Sequence, residues 1–273
     1  MIAAGIIGVQ YSIYWMVIFG MLIIGVISFL DDRITLSNKL RLFFHLIAVS
    51  LLFQFLRIFV VFPIYFVVAL YVLVIGTINA YNFMDGINGI TGVYSLTVLT
   101  GLQIVNYTVI NFVEPDIIWL PILACLVFLY FNFRKKAKCF AGDVGSITIA
   151  FWILFLLLKL VIDTGDYEYF LFLLVYGLDS VVTIIFRLIR RENIFEAHRT
   201  HFYQYLANEK KISHLYVATG YGLIQVLIIM AVIKFNTLSL IGTLFTILSA
   251  SIIFVTLRFL IEGKDRLLGL SAK

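Results

Sequence analysis

The 273-residue chain is 63% hydrophobic, only 13% charged, and carries a formal net charge of +5. Water-soluble domains are about half apolar and a quarter charged, so this balance excludes one. The two cysteines, Cys125 and Cys139, are too few for a disulfide framework. The apolar content is not gathered into one oversized core. It recurs along the chain in runs of about 20 residues, the length a helix needs to cross ~30 Å of hydrocarbon.

Taken in chain order, Met1–Gln10 is apolar but too short to cross, and it has neither the basic start nor the cleavage site of a signal peptide. Spans are predicted over 11–30, 42–56, 58–78, 89–112, 117–131, 146–162, 168–187, 215–234 and 238–260. Arg57 and Pro63 interrupt the run from Leu42 to Ile78, which is too long for one crossing and is read as a hairpin. The expectation is an all-α, polytopic bundle of about nine transmembrane helices, with residues 1–273 forming a single integral-membrane domain. Alternation of these spans puts the segments 31–41, 79–88, 132–145 and 187–214, and the tail after Arg258, on one side. That side and its helix ends take every basic residue except Arg57, Lys159 and Lys234. Basic loops stay in the cytoplasm, so this side is expected to be cytoplasmic and the N-terminus external. The opposite connections are short and acidic, with Glu114, Asp116, Asp163, Asp166 and Glu168.

Four polar segments fall on the basic side. In the first, FLDDRITLSNKLR, Asp31 and Asp32 are adjacent carboxylates at a membrane boundary. A divalent cation or a shared proton relieves their repulsion; a solvated helix end beside Arg33 is the plainer alternative. The second runs from Asn79 to Gly89, where Asn82, Asp85 and Asn88 recur every third residue and share a helical face. Their amide and carboxylate oxygens suit Mg²⁺, phosphate or sugar hydroxyls, although a glycine-containing turn also explains the segment. In the third, Asp143 is flanked by Gly142 and Gly145 just before an apolar span and is favoured as a metal ligand. The preceding basic run, Arg134 to Lys138, suits an anionic lipid surface.

The fourth segment, 187–205, holds His198, Arg199 and His201 behind Arg187, Arg190 and Arg191. Two histidines bracketing an arginine suit a diphosphate. An amphipathic helix lying on the membrane surface is compatible with the same residues. A zinc site is disfavoured, because His-x-x-His supplies only two ligands. Asp179 lies inside a span and reads as a structural carboxylate needing a partner within the bundle.

These four segments, in this order, resemble the polyprenyl-phosphate N-acetylhexosamine-1-phosphate transferases of glycosyl transferase family 4, the type that initiates O-antigen and teichoic-acid assembly. The pieces that carry the resemblance are FLDDRITLSNKLR, NAYNFMDGING, FNFRKKAKCFAGDVGS and ENIFEAHRTHFYQYL. The resemblance implies that undecaprenyl phosphate attacks the β-phosphate of a UDP-N-acetyl sugar such as UDP-GlcNAc and releases UMP, in the plasma membrane of a bacterium. By the same implication, Asp31, Asp32 and Asp85 are catalytic, and Asp143 with Asp32 binds Mg²⁺, or Mn²⁺ in its place. Asn82, Asn88, His198, Arg199 and His201 bind substrate.

The implied partners are the polyprenyl phosphate lipid, the UDP-sugar and the membrane, with no nucleic acid and with a homodimer as a further option. The His-Arg-x-His order resembles the O-antigen initiators more than the peptidoglycan enzyme. Asn88 stands where many members carry a second Asp, a variant of the site. The chain opens within what resembles the family's second helix, so a segment of one or two helices is expected to be lacking. An ion-coupled transporter and an inactive, truncated family member are the competing readings; a transporter's polar groups usually lie near the membrane midplane, and here they gather at one boundary.

Overall fold

The computed structural model describes residues 2–194, 196, 199–235 and 239–270. The regular elements among the described residues are all helices, with no strand among them. In chain order the helices are α1 (Ile2–Gln10), α2 (Trp15–Ile34), α3 (Asn38–Phe55), α4 (Ile58–Val61), α5 (Ile64–Phe83), α6 (Ile90–Thr108), α7 (Asp116–Asn132) and α8 (Gly142–Thr164). There follow α9 (Leu174–Ile189), α10 (Phe202–Asn208), α11 (His214–Phe235), α12 (Leu240–Glu262) and α13 (Lys264–Leu268).

Among the described residues, 6 helical segments are long and apolar enough to cross a membrane: Ser12–Ile34, Ile64–Phe83, Gly142–Thr164, Tyr167–Ile189, His214–Phe235 and Leu240–Glu262. The chain is a multi-pass membrane protein. The other stretches expected to cross coincide with α3, α6 and α7. Polar residues such as Arg41 and His45 in α3 and Gln103 and Asn106 in α6 dilute their apolar character, and α7 has only 17 residues.

The break expected near Arg57 and Pro63 is present. Arg57 adopts a left-handed conformation, φ 56°, after α3, and Pro63 precedes the first turn of α5, where its fixed φ and missing N–H cost nothing. Ser37 caps α3 by accepting the Leu40 N–H, which turns the chain back immediately after α2.

Helix α8 is the axis of the bundle. Phe151, Ile153, Phe155, Leu156 and Leu157 are all fully buried, because α2, α5 and α6 pack around it. A second layer pairs α6 with α7 and α11. At one end of the bundle the acidic connection is held from the N-terminal side: Tyr11 Oη donates to Asp116 Oδ2 at 3.0 Å, and Tyr14 Oη donates to Glu114. At the other end, the C-termini of α2 and α5 meet the N-termini of α3 and α8, as the contacts of their polar side chains establish.

Candidate active site

The chain reversal after α2 fixes Asp31. Thr35 takes a left-handed conformation, φ 49°, and its N–H donates to the Asp31 carbonyl at 3.0 Å. The Leu36 N–H donates to Asp31 Oδ1 at 2.7 Å, leaving Oδ2 to pair with Arg41 Nη1 at 3.0 Å. Arg41 sits in the first turn of α3, and its Nη2 lies 3.6 Å from Asp143 Oδ2. One guanidinium therefore spans the carboxylates of the first and third polar segments.

Asp143 stands in the first turn of α8, where the positive end of the helix dipole favours a carboxylate. Its Oδ1 accepts from Asn82 Nδ2 at 3.2 Å, and Ser146 Oγ donates to Asn82 Oδ1 at 2.7 Å. The second polar segment is thus latched to the third through both ends of one amide. Asp32 reaches the same place. A side chain placed at Gly142, whose φ is +58°, would stand 3.5 Å from Asp32 Oδ2; partial desolvation, then the charges of Asp143 and Asp31, act on this carboxylate, offset by Arg41 and Arg33.

Asp85 lies in the turn that follows α5 and accepts from Thr91 Oγ1 at 2.6 Å. Burial pushes its carboxyl up to about 6; the Thr91 hydroxyl and the Gly142 amide oppose that rise, and the charge of Asp143 adds to it. Asp31, Asp32, Asp85 and Asp143, distant in sequence, therefore meet at one end of the bundle. No three His, Cys, Asp or Glu side chains among the described residues are grouped closely enough to enclose a metal by themselves. The donor set still fits Mg²⁺, which keeps several waters and takes one or two carboxylates.

The fourth segment behaves differently. His198 lies outside the described residues. Arg199 is exposed, whereas His201 is buried, with Nδ1 3.5 Å from Asp179 Oδ1. Asp179 also accepts the Phe202 N–H at 2.8 Å, the Tyr203 N–H at 3.2 Å and the Tyr221 hydroxyl at 2.7 Å. It anchors the start of α10 by satisfying amides that the helix leaves unpaired. Tyr203 Oη, in turn, donates to the Phe83 carbonyl at 2.8 Å and fills the space where a Gly86 side chain would go. Only glycine lets α10 sit this close to the turn carrying Asp85.

Asn88 holds the neighbouring basic loop. Its Nδ2 donates to the carbonyls of Arg134 at 2.9 Å and Lys135 at 3.4 Å. Arg41, Thr91 and Ser146 are site residues that the sequence reading did not single out. Ser146 lies in a quoted motif, and Arg41 ends LSNKLR, so a cation and a hydroxyl beside the acidic residues were the available signals.

An acidic cluster bridged by one arginine, at one end of a membrane-spanning helical bundle, defines a polytopic membrane protein with a polar site at its boundary. The family model of glycosyl transferase family 4 matches residues 14–161, more than half of the chain, from the turn before α2 into α8. The chain belongs to that family and is a membrane glycosyl-1-phosphate transferase. No curated protein matches it.

Proposed function

We propose that the protein transfers an N-acetylhexosamine-1-phosphate from a UDP-N-acetyl sugar, UDP-GlcNAc or a relative, to undecaprenyl phosphate and releases UMP. In this reading an oxygen of the lipid phosphate attacks the β-phosphorus of the UDP-sugar. The bond from that phosphorus to the bridging oxygen breaks, and UMP leaves with the electron pair. The product is a lipid diphosphate-sugar. Such a reaction opens the synthesis of a cell-surface polysaccharide and takes place at the cytoplasmic face of a bacterial plasma membrane, the side to which the basic loops are assigned.

The observation that carries this reading is the linkage Asp31–Arg41–Asp143–Asn82, which draws three separated polar segments together. Phosphoryl transfer asks a protein mainly for positioning and charge stabilisation. Asp31, already oriented by the Leu36 amide, and Asp32 face the lipid phosphate and take its proton when it is protonated. Asp85 stays close to a neutral pKa and accepts or returns a proton at the same place. Arg41 offers a guanidinium to phosphate oxygens, and Asn82 orients Asp143.

Asp143 and Asp32 would hold Mg²⁺, or Mn²⁺ in its place, which supplies positive charge against the repulsion between two phosphates. Arg199, exposed just before the start of α10, is assigned to the diphosphate. His201 is assigned to orienting that segment, since its ring is turned toward Asp179. Asn88 shapes the basic loop at the rim of the site.

The test is purified protein in lipid, supplied in turn with several UDP-N-acetyl sugars and with undecaprenyl phosphate, with lipid-linked sugar as the product measured. Product that needs both substrates and a divalent cation supports the reading. Ion-coupled uptake without lipid-linked product would move the protein to the transporter class.

A further inference from the structure

Helix α12 is an outlying element. Along its 23 residues only Thr243, Arg258 and Glu262 are buried. Arg258 is 1% exposed, and a guanidinium taken out of water is tolerated only when its donors are satisfied. Its Nε pairs with Glu262, its Nη1 donates to Thr183 Oγ1 at 2.8 Å, and its Nη2 donates to the Thr200 carbonyl at 3.1 Å. Its plane lies over the rings of Phe186 and Phe202, at 5.4 and 5.9 Å from their centres.

This arginine is one link in a chain that grips α10 at both ends. Thr183 donates onward to Asp179, the anchor of the α10 N-terminus. Glu262 also accepts from Arg266 Nε at 3.1 Å, and Arg266 pairs with Glu209 just past the α10 C-terminus. Tyr205 Oη in α10 donates to the Ile261 carbonyl at 3.0 Å. Thr200 is the residue between Arg199 and His201, and Tyr203 connects α10 to the turn bearing Asp85. These parts of the C-terminal segment lie beyond the region the family model matches.

We propose that Arg258 is a positioning residue, fixing through the Thr200 carbonyl the segment that presents Arg199 to a nucleotide diphosphate. The inference rests on the assignment of Arg199 made above. Arg258 itself is enclosed and reaches no substrate. A purely architectural arginine would only tether α12, and its loss would lower the amount of folded enzyme without altering affinity for either substrate.

The test uses the full chain in lipid with Arg258→Gln and Arg258→Lys, the second retaining a charge for Glu262 while losing the two-pronged reach of the guanidinium. Two readouts are taken: KM for each substrate, and the rate of tryptic cleavage after Arg199. Arg258→Gln is expected to raise the KM for the UDP-sugar about tenfold, with kcat and the KM for undecaprenyl phosphate within about twofold of the unmodified protein. Cleavage after Arg199 is expected to accelerate about tenfold, with Arg258→Lys between the two. Unchanged KM values with Vmax falling in step with folded protein would overturn the proposal, as would unchanged cleavage in both variants. If the unmodified protein forms no product with any UDP-sugar, the assigned reaction fails; the cleavage comparison still decides whether Arg258 holds the segment.

Discussion

Arg41 stands between two carboxylates from separate motifs, 3.0 Å from Asp31 and 3.6 Å from Asp143. Replacing it with glutamine removes the charge that lets these groups approach one another. Turnover is expected to fall about 10²-fold, the scale of losing one preorganised electrostatic contact. Stability should fall by only about 1 kcal/mol, since the pair is partly solvent-exposed. Steady-state kinetics and thermal melts of Arg41→Gln read the two effects separately.

Asp143→Asn should abolish turnover while the protein still folds in the membrane. The substitution keeps the shape and one hydrogen-bonding oxygen for Asn82, but it removes the charge that suits both a metal and the α8 N-terminus. A loss of at least about 10³-fold in product formation, with stability lowered by no more than about 1 kcal/mol, is the expected pair of results. Full activity would remove Asp143 from the metal role.

Asp179→Asn should harm folding more than chemistry. The carboxylate accepts from two backbone amides and a tyrosine hydroxyl, all buried. An amide placed there turns an NH₂ toward at least one donor, at a cost of about 1–3 kcal/mol. Yield and melting temperature should drop, and the molecules that do fold should retain turnover. A well-folded variant without turnover would instead make Asp179 part of the chemistry.

Asp85 provides a pH test of the metal-free protein. Its carboxyl rises from 3.8 to about 6, so the fold favours the protonated form. The associated stability is complete below the unfolded value of 3.8 and is lost as pH rises through about 6. Asp85→Asn should therefore melt higher than the unmodified protein at pH 7.5, by on the order of 1–2 kcal/mol once partial exposure is allowed for. The difference should vanish near pH 4. A variant equally unstable at both pH values would contradict the burial argument.

Much of the architecture was legible because the membrane imposes it. Helix length and apolarity are set by bilayer thickness, and the break at Arg57 and Pro63 follows from local backbone chemistry. The meeting of Asp31, Asp85 and Asp143 followed from placing their segments on one side by charge. Pairings across helices were not legible. Nothing in LSNKLR says that Arg41 reaches α8, and nothing in the C-terminal run says that Arg258 turns inward to Thr183 and Thr200.

His201 illustrates the same limit. Beside Arg199 it reads as an anion contact, and nothing near it in the sequence says that its ring also lies 3.5 Å from Asp179, more than twenty residues earlier. Among the described residues, six helical segments meet the length and apolarity of a crossing. Those that fall short, α3 and α6 among them, carry the polar residues that build the site or pack in the interior, such as Arg41 and Asn106.

UMP release, measured side by side for the unmodified protein and Asp143→Asn with UDP-GlcNAc, undecaprenyl phosphate and Mg²⁺, tests the proposed reaction most directly. UMP is expected from the unmodified protein only when all three are present, and none above background from the variant. UMP formed equally by both proteins, or formed without the lipid phosphate, would contradict it.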